Sequence, residues 1–225
     1  QLSRGLGDVY KRQAQVVAAR SYALAMIADR QNPNRYFDLF GSELDQVYQG
    51  AEYDDYKSAL MVSQTQDEVL LYKKDVLKAY YHASSGGFSE LPQNVWPNKS
   101  ARDNFAYEAK ASPFDVGLKG SSWSIRMSPH FGVSVKGIGK LIDVKVLDRS
   151  EGKRVKKIWM QGLKGSRTFT GPEFRKLFGR RWIRSTYFKV QKKGQSWELK
   201  GEGFGHGVGL SQIGARAMAK LGKSY

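Results

Sequence analysis

The chain has 225 residues, 40% apolar and 12% aromatic, with 37 Lys+Arg against 21 Asp+Glu. A chain of this length buries about 70% of its unfolded surface as one large domain or two small ones, and this composition excludes a disordered polymer. Cysteine is absent, which excludes disulfides and thiolate metal sites. No apolar run reaches the roughly 18 residues of a membrane span, because Arg20 interrupts the best one, Val16–Ile27.

Charge is unevenly spread. Residues 1–112 hold 13 Lys+Arg and 14 Asp+Glu, whereas residues 113–225 hold 24 and 7, a net of +17. A basic half suits an anionic wall polymer, a membrane surface or nucleic acid, or it is a solvated face. No nucleic-acid-binding motif is present, so a nucleic-acid partner is not expected.

The pattern predicts a helix over Ala14–Asp29, with Val17, Ser21, Leu24 and Ala28 on one face and Asn32-Pro33-Asn34 beyond its end. Upstream, Gly5 and Gly7 break the helical pattern. Asp54–Gln64 predicts a shorter helix, and Glu68–Tyr72 with Val76–Ser85 predicts a hairpin turning at Lys73-Lys74-Asp75. Strand alternation then sets Leu77, Ala79, Tyr81 and Ala83 on one side and Lys78, Tyr80, His82 and Ser84 on the other, with His82 off the core face. Segment 99–135 carries Pro113 and Pro129 and marks the join of a candidate inserted subdomain within 99–200.

Beyond it, Leu141–Leu147 and Val155–Met160 form a predicted hairpin. Thr170-Gly171-Pro172 opens a short helix closed by Gly179. Tyr187–Gln191 and Ser196–Lys200 form the last hairpin, and Ser211 caps a helix from Gln212 to Leu221. Without βαβ alternation, the expected class is α+β, with mixed helices and antiparallel strands around one core.

Two stretches carry chemistry. Tyr80-Tyr81-His82-Ala83-Ser84-Ser85-Gly86-Gly87-Phe88-Ser89-Glu90 gathers hydroxyls, an imidazole and a carboxylate at a strand end, where rigid frames display binding groups. It contains no Gly-x-Ser-x-Gly elbow, and a hydrogen-bonded strand end is the structural alternative. The run Gly201-Glu202-Gly203-Phe204-Gly205-His206-Gly207-Val208-Gly209-Leu210-Ser211-Gln212 lets backbone approach backbone or ligand closely, as a mere linker would not need to. Three dispersed histidines and no cysteine make neither a metal site nor a cofactor expected.

Together with Ala14-Gln15-Val16-Val17-Ala18-Ala19-Arg20-Ser21-Tyr22-Ala23, Asp45-Gln46-Val47-Tyr48 and Val95-Trp96, these stretches occur in an order that closely resembles the stage II sporulation protein D family, which includes amidase enhancers. The resemblance runs from Ala14 to Tyr225. It implies a bacterial, extracytoplasmic cell-wall protein. It further implies a lytic transglycosylase acting on glycan strands stripped of stem peptides, or alternatively a non-catalytic wall-binding partner of an amidase. In that reaction one carboxylic acid protonates the glycosidic oxygen. The same group then takes the proton of the muramic acid C6 hydroxyl as the 1,6-anhydro ring closes, so no second carboxylate is needed, unlike ordinary glycosidases. The resemblance assigns sugar binding to Gln15, Arg20, Tyr48, Tyr81, His82, Ser84, Ser85, His206 and Gln212.

One departure from the family concerns the acid. Family members carry Glu-x-x-Lys-Ala-Gln at the start of the first helix, and alignment on Ala14-Gln15 puts Tyr10 in the glutamate's place and Gln13 in the lysine's. A phenol, with an ordinary pKa of about 10, does not protonate a leaving group at neutral pH. Position 10 lies about 20° from Val17 on an ideal helix, near the N-terminal end of the predicted segment. Residues 1–13 therefore read as a foreign segment replacing the natural one, before a domain of that family over 14–225 truncated at both ends. Glu90 is the weaker alternative acid, expected as a solvated group beside a Gly-Gly turn. Some relatives carry metal-binding Cys and His near Leu39–Asp45; none stand here, so a structural zinc is not expected.

Overall fold

The computed structural model describes residues 2–30, 36–42, 45–47, 56–97 and 106–225, with side chains from residue 9 onward. Its fold is α+β, with helices and small antiparallel sheets. The chain divides into two compact units, one of residues 1–81 with 209–225 and one of residues 82–208.

In the first unit, α1 runs Leu2–Asp29, twelve residues earlier than the pattern predicts. Gly5 and Gly7 do not stop it. Each costs about 1 kcal/mol against alanine, which helix propagation from a strong segment absorbs. Its buried side holds Val17, Ala18, Ser21, Tyr22, Ala25 and Met26, whereas Leu24 and Ala28, expected on that side, are exposed. The Ser21 hydroxyl donates to the Val17 carbonyl at 2.7 Å and accepts the Leu70 amide at 2.9 Å. α2 spans Tyr56–Gln64.

The hairpin is much shorter than predicted. β1 (Leu71–Tyr72) pairs with β2 (Asp75–Val76), and the turn is the two residues Lys73 and Lys74, both at positive φ, as a primed two-residue hairpin turn demands. Downstream the predicted strand is shared among other partners. β3 is Tyr81–His82 and β10 is Leu210–Ser211, whose Leu210 amide donates to the Tyr80 carbonyl at 3.0 Å. α5 (Gln212–Lys220) follows, with the Ser211 hydroxyl accepting the Gly214 amide at 3.1 Å as its N-cap.

The second unit opens with α3 (Pro92–Val95) and a 3-10 turn at Pro113–Asp115. Two three-stranded antiparallel sheets follow. One has the order β4 (Ser122–Met127), β9 (Ser196–Glu202), β8 (Phe188–Lys193), and the other β5 (Leu141–Arg149), β6 (Val155–Gly162), β7 (Gly165–Thr170). β7 has no counterpart in the sequence reading, because its Gly-Ser-Arg-Thr run has one buried apolar residue, Phe169. The core is Trp123, Met127, Ile138, Val144, Ile158, Met160, Phe174, Phe188, Trp197, Leu199 and their neighbours. α4 (Gly171–Phe178) starts in a full capping box between Thr170 and Glu173 and ends at Gly179, φ 89°.

Candidate functional site

The residues singled out from the sequence fall into two sets, one in each unit. Tyr48 lies outside the described residues.

In the first unit, Tyr10 is half-buried on α1. It stands in the third turn of a helix that begins at Leu2, so the expectation that it lies near the helix N-terminus is corrected. A carboxylate placed there escapes the dipole's anion stabilisation, which fades within the first turn. Gln15 accepts from the Gln212 side-chain amide at 3.1 Å, joining α1 to α5. Arg20 donates to the carbonyl of Val62 at 3.2 Å, in the last turn of α2, and to those of Thr65 at 2.5 Å and Glu68 at 2.9 Å in the chain just beyond it. Tyr81 donates its hydroxyl to Gln46 Oε1 at 3.0 Å, and Gln46 Nε2 donates to the Ala19 carbonyl at 2.9 Å. Burial raises the Tyr81 pKa. Asp45 receives Arg30 in a two-pronged pair at 2.6 and 2.7 Å, together with the Phe40 amide at 2.8 Å. Its pKa is lowered although its burial alone would raise it, because Arg30 and that amide favour the anion. The Asp45-Gln46 pair thus orients Tyr81 and anchors the loop, a role the sequence motif did not disclose.

In the second unit, the glycine run and the strand-end motif lie against each other. Ser84 and Phe204 exchange backbone hydrogen bonds at 3.0 and 2.9 Å. A Cβ on Gly86 would sit 2.5 Å from the Glu202 carbonyl carbon, and one on Gly207 would sit 2.2 Å from the Arg154 guanidinium. Both residues have positive φ, so glycine is required twice over.

His82 is 5% exposed, correcting the expectation that it faces away from the core. It lies at the meeting of two chain stretches rather than on one face of a long strand. Its Nδ1 donates to the Val208 carbonyl at 3.0 Å, and its buried Nε2 has no hydrogen-bond partner. Burial, reinforced by the Arg154 charge, lowers its pKa to about 4. The imidazole is therefore neutral at physiological pH. His206 accepts the Val208 amide on Nδ1 at 3.0 Å, and its half-buried ring lies 5.4 Å from His82 and 4.9 Å from Trp96 between centroids. The half-buried Trp96 and His206 rings make a surface against which a sugar ring can lie, and buried His82 packs against His206.

Ser84 and Ser85, expected to meet sugar, are instead buried and donate their hydroxyls to Asp115, which sequence reasoning missed. Its fully buried carboxylate accepts the Ser84 hydroxyl at 2.9 Å, the Ser85 hydroxyl at 2.9 Å and the Ser85 amide at 2.6 Å. No local signal marks it, since it stands 30 residues from its partners.

Glu90 is 1% exposed, correcting the expectation of a solvated group. It accepts the Leu91 amide at 2.8 Å, Asn94 Nδ2 at 2.8 Å and the Ser150 hydroxyl. Nearby, Arg154 is buried and donates to the Ser85 carbonyl at 2.8 Å. Burial brings its pKa down to about 10, against the opposing charge of Glu90. Among the described residues no three His, Cys, Asp or Glu side chains gather as a metal site.

An α+β chain with a glycine-built strand junction around paired histidines defines the class of protein. A family described as "Stage II sporulation protein" matches residues 11–72, and one described as "Domain of unknown function (DUF8618)" matches residues 126–209. The amidase enhancer of Bacillus subtilis (strain 168) is 28% identical over 95% of this chain and 36% of its own length. An uncharacterized protein of Brachyspira hyodysenteriae is 29% identical over 95% of this chain and 56% of its own. Stage II sporulation protein D of Bacillus subtilis is 24% identical over 94% of this chain and 63% of its own. The chain thus spans between about a third and just under two thirds of these relatives. Over most of its length the chain is thus similar to proteins named amidase enhancer and stage II sporulation protein D.

Proposed function

We propose that this protein is an extracytoplasmic peptidoglycan-binding member of its family, built like a lytic transglycosylase for peptide-free glycan but lacking the acid. The observation that carries this reading is the saturation of both carboxylates beside His82. Glu90 accepts from Leu91, Asn94 and Ser150, and Asp115 accepts from Ser84 and Ser85. Both carboxylates are buried and taken up by these neighbours, so neither stands exposed to reach a glycosidic oxygen. The resemblance leaves the acid to position 10, where a phenol stands. The Trp96 and His206 rings supply the grip on sugar, and buried, neutral His82 supports His206 without adding charge.

The chain as it stands binds purified peptide-free glycan strands and releases no 1,6-anhydro products. A Tyr10→Glu variant gains release of those products, because α1 is already formed through position 10. Cleavage by the unaltered chain that disappears in Glu90→Gln would overturn the assignment and make Glu90 the acid. A second reading is favoured by the likeness over 95% of the chain to a protein named amidase enhancer. In that case the chain stimulates a cell-wall amidase, and Tyr10→Glu leaves glycan intact.

A further inference from the structure

The outward face of the β4–β9–β8 sheet carries a charge arrangement that folding alone disfavours. The inward side of this sheet is Trp123, Met127, Phe188, Trp197 and Leu199, all core residues. The outward side is polar throughout. Lys189 on β8 stands directly opposite Lys200 on β9, with Ser124 on β4 completing the row. Arg126, Glu198 and Gln191 form the next row, and Lys193 opposite Ser196 the last. Lys189, Lys193, Lys200 and Arg126 are exposed.

Like charges directly opposite on neighbouring strands destabilise a sheet. Lys200 is answered by Glu198 at 3.3 Å along its own strand, whereas Lys189 has no ion pair among the described residues. Between the cations lies a recess of about 290 Å³ lined by Ser124, Ile125, Arg126, Lys193 and Glu198. Glu198 accepts the Ser124 hydroxyl there at 3.4 Å.

We propose that this face docks a phosphodiester-linked polyol of the cell wall, with phosphates on Lys189, Lys200, Arg126 and Lys193 and polyol hydroxyls donating to Glu198. Strand spacing sets the cations about 5 Å apart across the sheet and about 13 Å along it, a row for a polymer rather than a pocket for one anion. The net charge of +17 over residues 113–225 draws such a polymer to this half of the chain. Single-stranded nucleic acid is the lesser fit, because binding it relies on aromatic rings for base stacking, and no outward residue in these rows is aromatic. The proposal rests on the wall-binding reading above, but uses residues separate from the His82 cluster.

The test uses the whole chain and poly(glycerol phosphate) on a sensor surface. A Lys189→Gln/Lys200→Gln variant is expected to lose tenfold or more in affinity. A Lys156→Gln/Lys157→Gln variant on the other sheet, with the same loss of charge, loses less than threefold. The first variant keeps or raises its Tm, since a like-charge pair is relieved. Its affinity for phosphate-free, peptide-free glycan is unchanged, so failure of the glycan reading and failure of this one are told apart. Equal losses in the two variants would reduce the effect to bulk charge and overturn the site. A lower Tm in the first variant would assign the lysines to the fold. Binding of a charge-matched oligonucleotide as tight as that of the polyol phosphate would overturn the choice of partner.

Discussion

Burial decides the charge of His82. Its pKa falls to about 4 in the fold, against about 6.5 in an unfolded chain. The depressed value means the native state binds the proton less readily than the unfolded state. The contribution is fully present above pH 6.5 and is lost as pH falls from there through 4. A shift of this size corresponds to about 3 kcal/mol. Urea midpoints measured from pH 7 to pH 4 should fall for the native sequence, and the fall should be shallower in His82→Gln, whose amide has no proton to gain. Equal slopes would mean that His82 is not the group that titrates. The same low-dielectric setting accounts for Arg154. Its charge is kept through carbonyls of the glycine loops and the nearby Glu90, and Gly207 has no Cβ because the guanidinium occupies that space.

At the scale of elements, ends matter more than middles. α4 is closed at both ends by its own sequence, Thr170 and Glu173 at one and Gly179 at the other. α2 is not. The Val62 carbonyl in its last turn and the Thr65 carbonyl just beyond it accept from Arg20 on α1, over a separation of more than 40 residues. Removing that guanidinium takes a donor from the Val62 and Glu68 carbonyls and leaves Thr65 only the Glu68 amide, at a cost of about 1–2 kcal/mol. Arg20→Ala should lower the denaturant midpoint accordingly, with Arg20→Lys recovering part of the loss. A variant that loses glycan binding at unchanged stability would return Arg20 to sugar recognition. The hairpin β1–β2 shows the opposite economy. Two lysines at positive φ close the turn, and pairing ends within two residues on each side because the chain beyond is taken by β10 and Phe204.

At the scale of the molecule, each unit is held by side-chain packing and hydrogen bonding. The second unit packs Trp, Phe, Met and aliphatic side chains between its sheets, and the first packs α1 with its neighbours through Val17, Tyr22 and Met26. Among the described residues no acidic or imidazole cluster offers a metal site. Incubation with a strong chelator should therefore leave the Tm unchanged, and a drop of several degrees would show that metal contributes to the fold.

Sequence by itself determined whatever depends on neighbours along the chain. Periodicity placed α1's end at Asp29. Cap residues placed α4 and α5, and alternation with turn residues placed the β5–β6 and β8–β9 hairpins. Motif order drew together His82, Ser84, Ser85 and His206. Only tertiary structure decided which polar groups are buried. His82 and Glu90 sit on residues that alternation and composition assign to solvent, yet both are enclosed because the glycine run closes over the strand end. Asp115 and Arg154 gain their roles from partners about 30 and 70 residues away, a distance over which local pattern carries no signal. The long-range pairing of Ser84 with Phe204 brings these groups together, and desolvation then keeps His82 neutral.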